Sequence, residues 1–561
     1  MTRKIFKNAY IVDVINRDVF RGWFSVKQGR FEYVEKGRSL RGLSGDTIDL
    51  GGKYVVPGLI DAHMHIESSH LTPRRFAQAA LRWGTCAVLQ DPHEMGNVCG
   101  VRGIVFMMRN SQGVPLRIYT AIPSCVPPTN AGVETPNASI SIEEIKDLIK
   151  NPYVIALGEV MDYNGLLNKN PKLLEILAIA RSAHLSIEGH CPSLQGRLLS
   201  EYIGYGIRSD HTLTNPSKME EELRKGMFIM IQPKSLTREN VDFIMTLRER
   251  SRILLVTDDV SASSLVEGHL NRVIELAIAQ GWDPIDAIAS ATIRPAEYLG
   301  LRDLGAIAPG KSACFFLVDD LRILTPQQVF IEGNALANNF DVETAGSSVS
   351  LHSLALERVE LSDFRIPGIE SRSYRVNVIV TNKDNSMTKL AQTSLTFIQG
   401  YPKLESKDIV CIAVFRRGER KPSGCVGFLM GTGLQRGAYA STFAHDLHNL
   451  VVIGKKPEEM VDVANKVLQV GGGIAVKDGD RVDVLELPIA GLLTDDPLEQ
   501  VASKEKALEK SLRSLGVEHK DPLMLFSVLT LSVSPYYKMS DLGIIETETQ
   551  RLLPVVLGPV N

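Results

Sequence analysis

Residues 1–53 alternate apolar and polar positions, as in Asn8-Ala9-Tyr10-Ile11-Val12-Asp13-Val14 and Gly22-Trp23-Phe24-Ser25-Val26-Lys27. A period of two predicts short strands with one buried face. From Val55 the period changes, and short apolar runs alternate with amphipathic stretches of helical period. Eight runs are expected as strands: Val55–Ile60, Ala87–Gln90, Leu116–Ile122, Val154–Val160, Leu185–Glu188, Ile207–Asp210, Phe228–Gln232 and Ile253–Thr257. Between them Pro73–Trp83, Leu173–His184, Met219–Lys225 and Arg238–Arg250 read as helices. Repeated β-then-α units predict a parallel sheet, and eight of them predict a (β/α)8 barrel.

The turn-rich passage Asp303–Lys311 then leads into the β run Ala313–Val318, which predicts a return to the first β unit. The expected class is α/β, a TIM-like barrel over residues 55–304. A small β domain built from both flanks (1–54 with 305–345) and a C-terminal α+β domain (350–561) accompany it. Gly346–Ser350 is the expected linker between the last two parts.

In such a barrel the chemistry sits at the C-terminal ends of the strands. Strand one runs into His63-Met64-His65, strand two into Asp91-Pro92-His93-Glu94 and strand four into Gly158-Glu159. Strand five runs into Glu188-Gly189-His190, strand six into Ser209-Asp210-His211 and strand eight into Thr257-Asp258-Asp259. Residues two apart on an extended chain face one side, so His63 and His65 can grip one ion. Neutral imidazole suits zinc, manganese or iron. The pattern predicts a two-metal hydrolytic centre. His63, His65 and Asp258 hold one ion, His190 and His211 hold the second, and Glu159 bridges them. Two cations lower the pKa of shared water, making hydroxide available as a nucleophile, and Asp258 is placed to take its proton.

Each residue also has a plainer reading. A single histidine at a strand end is commonly a hydrogen-bonded structural group. Asp258, Asp259 and Asp210 could cap the helices that come after them. Asp91 before Pro92 could form a turn. Coincidence at six strand ends favours the metal site. Asp91, His93 and Glu94 are read as further ligands or as groups that hold and protonate substrate, and His269 as a possible pocket residue. His70 and His184 are read as background. Ala444-His445-Asp446-Leu447-His448-Asn449 could be a third metal site, a pocket wall or a satisfied core network, the last being the default. Gly471-Gly472-Gly473 lacks the Lys-Ser/Thr of a phosphate loop and reads as a tight turn.

Composition narrows the class. A net charge of −3 over 561 residues argues against nucleic acid as a partner. No apolar run is long enough for a bilayer, and Met1–Phe6 lacks the apolar core of a signal peptide. The seven scattered cysteines, with no Cys-x-x-Cys, predict a reducing cytoplasm and no thiolate zinc site. A homo-oligomer is also expected.

Pro57-Gly58-Leu59-Ile60-Asp61-Ala62-His63-Met64-His65 resembles the opening motif of the amidohydrolase superfamily. Its continuation, Ile66-Glu67-Ser68-Ser69 and Leu71-Thr72-Pro73, is similar to the adenine deaminase family. Ala87–Glu94, Gly158-Glu159, Ser209–His211, Thr257–Asp259, Arg294–Tyr298, Leu304–Gly310, Ala444–Asn449, Gly471–Gly473 and Gly491–Asp496 resemble that family too. The resemblance implies hydrolysis of adenine to hypoxanthine and ammonia, as in purine salvage, at two manganese or iron ions per subunit. It implies that Glu159 stands where many relatives carry a carboxylated lysine. His70, Glu188 and Leu447 depart from the family pattern, so another aminated heterocycle or a cyclic amide is the alternative substrate. A non-catalytic purine-binding relative is the remaining one.

Overall fold

The structure is a computed structural model, and it describes residues 2–40, 42–129, 132–337, 351–404 and 408–560. The expected linker at 346–350 and the end of the 305–345 segment lie outside the described residues.

An eight-stranded sheet joins both flanks of the barrel. Strand Phe315–Val318 runs antiparallel to Tyr54–Pro57, which pairs with Lys4–Asp13. Its core is aromatic: Phe6 stacks on Phe24, and Phe315 stacks on Phe330 and meets both at an edge. The expected first barrel run is divided. Tyr54–Pro57 belongs to this small sheet, and the first barrel strand is Leu59–His65. Gly58 stands at the join because a Cβ there would meet Cys86 Sγ at 2.6 Å.

Six parallel strands form one arc in the order Ser186–Gly189, Val154–Val160, Arg117–Ile122, Thr85–Gln90, Leu59–His65 and Asp258–Asp259. Ser209–Asp210, Phe228–Ile231 and Ile253–Leu255 form a second parallel arc. The arcs are joined where the Arg208 amide donates to the Ile187 carbonyl at 3.0 Å. Asp258–Asp259 pairs in parallel with Met64 and His65, which closes the ring. This is a TIM-like barrel, with its eighth side shared by Ile253–Leu255 and Asp258–Asp259.

Two barrel helices begin earlier than their apolar periodicity predicts, while those expected from Pro73 and Arg238 begin there. Asn170 and Asn215 cap Pro171–Ser182 and Pro216–Arg224, each with proline in the first turn, which presets the backbone. The helix Arg238–Thr246 stops short of Arg250, whose guanidinium donates instead to the Leu247 carbonyl and to Asp286.

The C-terminal part is a ten-stranded, mostly antiparallel sheet covered by the helices Pro457–Gln469 and Leu498–Ser514. It shares one apolar core with the barrel: Phe76, Leu81 and Met95 belong with Phe415, Val501 and Leu508. Polar contacts tie the two together. Thr72 donates to Asp495 at 2.8 Å, and the buried Glu505 accepts the amides of Ala262 and Ser263. The loop from Thr442 to Asn449 is thereby carried onto the barrel mouth.

Candidate active site

His63 and His65 end the first strand, where its register with Thr85–Gln90 shifts between Asp61 and Met64. Asp61 accepts the His63 amide and the Thr257 hydroxyl, the latter at 2.6 Å, and so ties this strand to the chain entering Asp258. His65 Nδ1 lies 3.0 Å from the Asp91 carbonyl. A carbonyl only accepts, so Nδ1 carries the proton and Nε2 keeps its lone pair for the centre. That nitrogen lies 3.4 Å from Glu159 and 3.6 Å from Asp258.

Glu159 divides the imidazoles between its two oxygens. Oε1 faces His65 at 3.4 Å and His93 at 3.5 Å. Oε2 faces His190 at 2.7 Å and His211 at 3.2 Å. Burial alone would raise this carboxyl, but His211 and His190 outweigh it and hold it well below the usual range. Asp258 Oδ1 lies 3.7 Å from His63, 3.6 Å from His65 and 4.0 Å from His211. Its backbone is left-handed, with φ of 59°, a conformation that costs a non-glycine residue energy and persists only where neighbours impose it. The alternative in which Asp258 caps the next helix falls away, since Ser261 is that cap.

All six expected metal ligands thus converge. The donor atoms of His63, His65 and Asp258 lie within 4.8 Å of one another, as do those of His63, Glu159 and His211. His63 Nε2 and His93 Nδ1 are buried without a hydrogen-bond partner. Unpartnered nitrogen lone pairs among carboxylates, with no thiolate, fit divalent cations of borderline hardness. The fit to a metal centre is therefore good.

Asp91 turns its Oδ1 toward His93 at 3.7 Å and its other oxygen to the backbone. Its Oδ2 accepts the Glu159 amide at 2.9 Å, and a Cβ on Gly158 would sit 2.2 Å from the same oxygen. Asp91 thus sets the height of Glu159 within the barrel. Asp210 is likewise not a helix cap. It accepts the Cys191 amide at 2.9 Å and Lys218 at 2.8 Å, bracing the two loops that carry His190 and His211. Cys191, Asp210 and Glu222 form another potential ligand group, but the Lys218 ammonium already serves it.

The expectation for His269 is corrected. Its Nδ1 meets Thr85 Oγ1 at 2.8 Å, its Nε2 stands 3.6 Å from Asp61, and its ring abuts Phe76. These contacts place it against the strands that support the ligands, away from the pocket. Nearness in sequence to Asp258 misled, because the helix Leu270–Ala279 starts there and turns the chain away.

The residues that sequence reasoning left as a core network are His445, Asp446 and His448. Glu94 accepts from His445 Nδ1 at 2.5 Å with Oε1 and from His448 Nε2 with Oε2. The Ala444 amide donates to His448 Nδ1, which leaves the proton on Nε2. Burial accordingly pushes His448 down to about 4. His445 goes the other way: burial opposes its charge, but Glu94 overcomes this and raises it to about 9. Both Glu94 oxygens are therefore engaged by the C-terminal loop. Asp446 comes directly after His445 and reaches within 4.0 Å of His93 Nε2. The sequence signals were the density of His and Asp in one loop and the family resemblance of Ala444–Asn449.

Residues 54–342 match the amidohydrolase family, and residues 385–551 match the adenine deaminase C-terminal domain. The chain is 34% identical to an adenine deaminase of Clostridium perfringens, over 97% of this chain and 98% of that protein. It is 36% identical to adenine deaminase 2 of Carboxydothermus hydrogenoformans, over 99% of this chain and 97% of that one. Among solved structures, an enamidase of the amidohydrolase superfamily aligns over 59% of this chain and 95% of its own, with 18% identity and a TM-score of 0.47. The two matched segments and the near full-length identities agree, and the chain belongs to the adenine deaminase family of amidohydrolases.

Proposed function

We propose that this chain hydrolyses adenine to hypoxanthine and ammonia. The observation that carries the reading is the placement of Glu159 between two sets of imidazoles, in a chain alike to adenine deaminases along its whole length. His63, His65 and Asp258 would hold one divalent ion, manganese or iron(II), and His190 and His211 a second, with Glu159 shared. When bound, such ions lower the pKa of water enough for it to act as a nucleophile at neutral pH.

The protein's own part is positioning and proton transfer. Asp258, with one oxygen among three imidazoles, takes the proton of the attacking water. The same proton returns to the amino group, which leaves as ammonia while the ring carbon keeps its new oxygen. His93 stands between Glu159 and Asp446 and is suited to hold a ring nitrogen of the substrate. Glu94, expected to be catalytic, acts in this reading by holding His445 and His448 over the mouth. Seven free cysteines accord with action in a reducing compartment such as the cytoplasm, within purine salvage. Among the described residues no helix is long and apolar enough to cross a membrane.

The test is ammonia release from adenine by chelator-treated protein, before and after addition of Mn²⁺ or Fe²⁺. Release that requires the metal supports the reading. Metal uptake without release redirects it to other aminated heterocycles or cyclic amides.

A further inference from the structure

We propose that Asp446, delivered by the C-terminal domain, reads a ring N–H of the substrate and so selects the free base over its N9-substituted forms. This rests on the adenine reading above and names the group that confers its specificity.

The loop around Asp446 is fixed on every side. The His445 amide donates to the Ser527 carbonyl at 2.9 Å, and Thr530 donates to the His445 carbonyl at 2.8 Å. Asn137, from the barrel, donates to the Leu447 carbonyl at 2.7 Å, and the buried Arg417 donates to the His448 carbonyl at 2.6 Å. His445 and His448 are held by Glu94. Asp446 itself is only 2% exposed, and its Oδ2 has no hydrogen-bond partner. The nearest imidazoles stand off from Oδ1 at 4.0 Å (His93) and 3.8 Å (His445).

A rigid loop that buries a carboxyl without satisfying it sacrifices stability, since an unpaired buried acceptor costs about 1–3 kcal/mol. The location says what the group is for. Asp446 is one imidazole away from Glu159, because His93 touches both, so it borders the space where a heteroaromatic ring would face the ligand cluster. A carboxylate oxygen accepts, so its complement is an N–H; adenine's amino group sits on the carbon attacked at the ligand cluster, which leaves a ring N–H for Asp446. Adenine carries one on its five-membered ring, and a base alkylated or glycosylated at N9 carries none. Sites built to hydrogen-bond a substrate group discriminate strongly against analogues lacking it.

The experiment compares metal-loaded wild type, Asp446→Ala and Asp446→Asn. It measures kcat and KM for adenine and the inhibition constant of 9-methyladenine, with metal content and thermal midpoint as controls for folding. The expected result is a rise in KM for adenine of about 10- to 100-fold in the alanine variant. The kcat should change less, and the preference for adenine over 9-methyladenine should collapse in step. The asparagine variant, which keeps an acceptor oxygen, should retain part of the preference. An unchanged preference in the alanine variant overturns the inference, as does an equal loss of affinity for both compounds. Wild-type protein that takes up metal yet leaves adenine intact overturns the adenine reading itself, and this inference with it.

Discussion

Glu94 and His445 stand 351 residues apart in the chain and 2.5 Å apart in space. Glu94 lies in the first turn of the helix after barrel strand two, and His445 lies in the loop between the strands Ala438–Ser441 and Leu450–Gly454. The mouth of the barrel is therefore built by both halves of the chain, and neither half alone contains the whole site.

Replacing Glu94 by glutamine keeps the shape but removes the anion that two imidazoles share. His448 can still donate to the amide oxygen, while His445 loses its charge partner. The expected cost is about 2–3 kcal/mol in urea unfolding, with at least a tenfold fall in kcat/KM for adenine. A cycle with His445→Ala checks the cause. Coupling above about 1 kcal/mol is expected, and additive effects would show that the contact carries no energy.

The ligand assignment predicts a division between metal and rate. His65→Ala and Glu159→Gln should each lose metal and lower turnover by about a thousandfold or more, with the far-ultraviolet circular dichroism of wild type. Asp258→Asn keeps an oxygen donor but cannot accept the proton. It should retain more metal than either variant while losing about 100- to 10,000-fold in kcat. Full activity in Asp258→Asn would remove it as the proton acceptor.

Much of this was legible in the sequence for a simple reason. In a parallel barrel the strand ends meet, so the residues just beyond each apolar run come together, and no contact need be known to expect it. The convergence of His63, His65, Glu159, His190, His211 and Asp258 was legible in this way. Gly58 marks where the method blurs: one continuous apolar run serves two sheets, and only a packing distance to Cys86 divides it. His269 marks a second limit, since adjacency to a ligand along the chain says nothing about which way a helix leaves. The loop His445–His448 was read by default as a core network, but its partner Glu94 could not be named, because it lies in the other half of the chain and such a contact leaves no periodic trace. The family resemblance reached the same loop, but gave no geometry for it.

Lys218 supplies a test that depends on pH. Burial would raise the Asp210 carboxyl, but Lys218 overcomes this and holds it below the usual carboxylate range. A depressed pKa adds stability above the unfolded-state value and loses it as pH falls through the folded-state value. In Lys218→Met the buried Asp210 has lost its cation, and its pKa rises above the unfolded value. The variant should be less stable than wild type by about 2–4 kcal/mol at pH 7. The gap should narrow toward pH 4, because Asp210 takes up a proton in the folded variant while the wild-type ion pair persists to lower pH. A gap that is constant with pH in urea titrations would assign the loss to packing of the lysine chain alone.

Gly158→Ala tests whether Asp91 works through the backbone of Glu159. The new methyl would lie 2.2 Å from Asp91 Oδ2, an oxygen that already accepts the Glu159 amide at 2.9 Å. Asp91 is buried and cannot swing into solvent, so either its carboxylate or the strand Val154–Val160 must move. Overpacking of this kind costs about 1–3 kcal/mol. The functional effect should be larger than the stability effect, because Glu159 is displaced from two sets of imidazoles at once. The expected outcome is a protein that melts a few degrees lower yet binds its ions at least tenfold more weakly, read by competition with a chelator. Metal affinity equal to wild type, in a protein destabilised by the same amount, would show that the strand absorbs the methyl without moving Glu159, and would reduce Asp91 to a buried hydrogen-bonding group with no part in the centre.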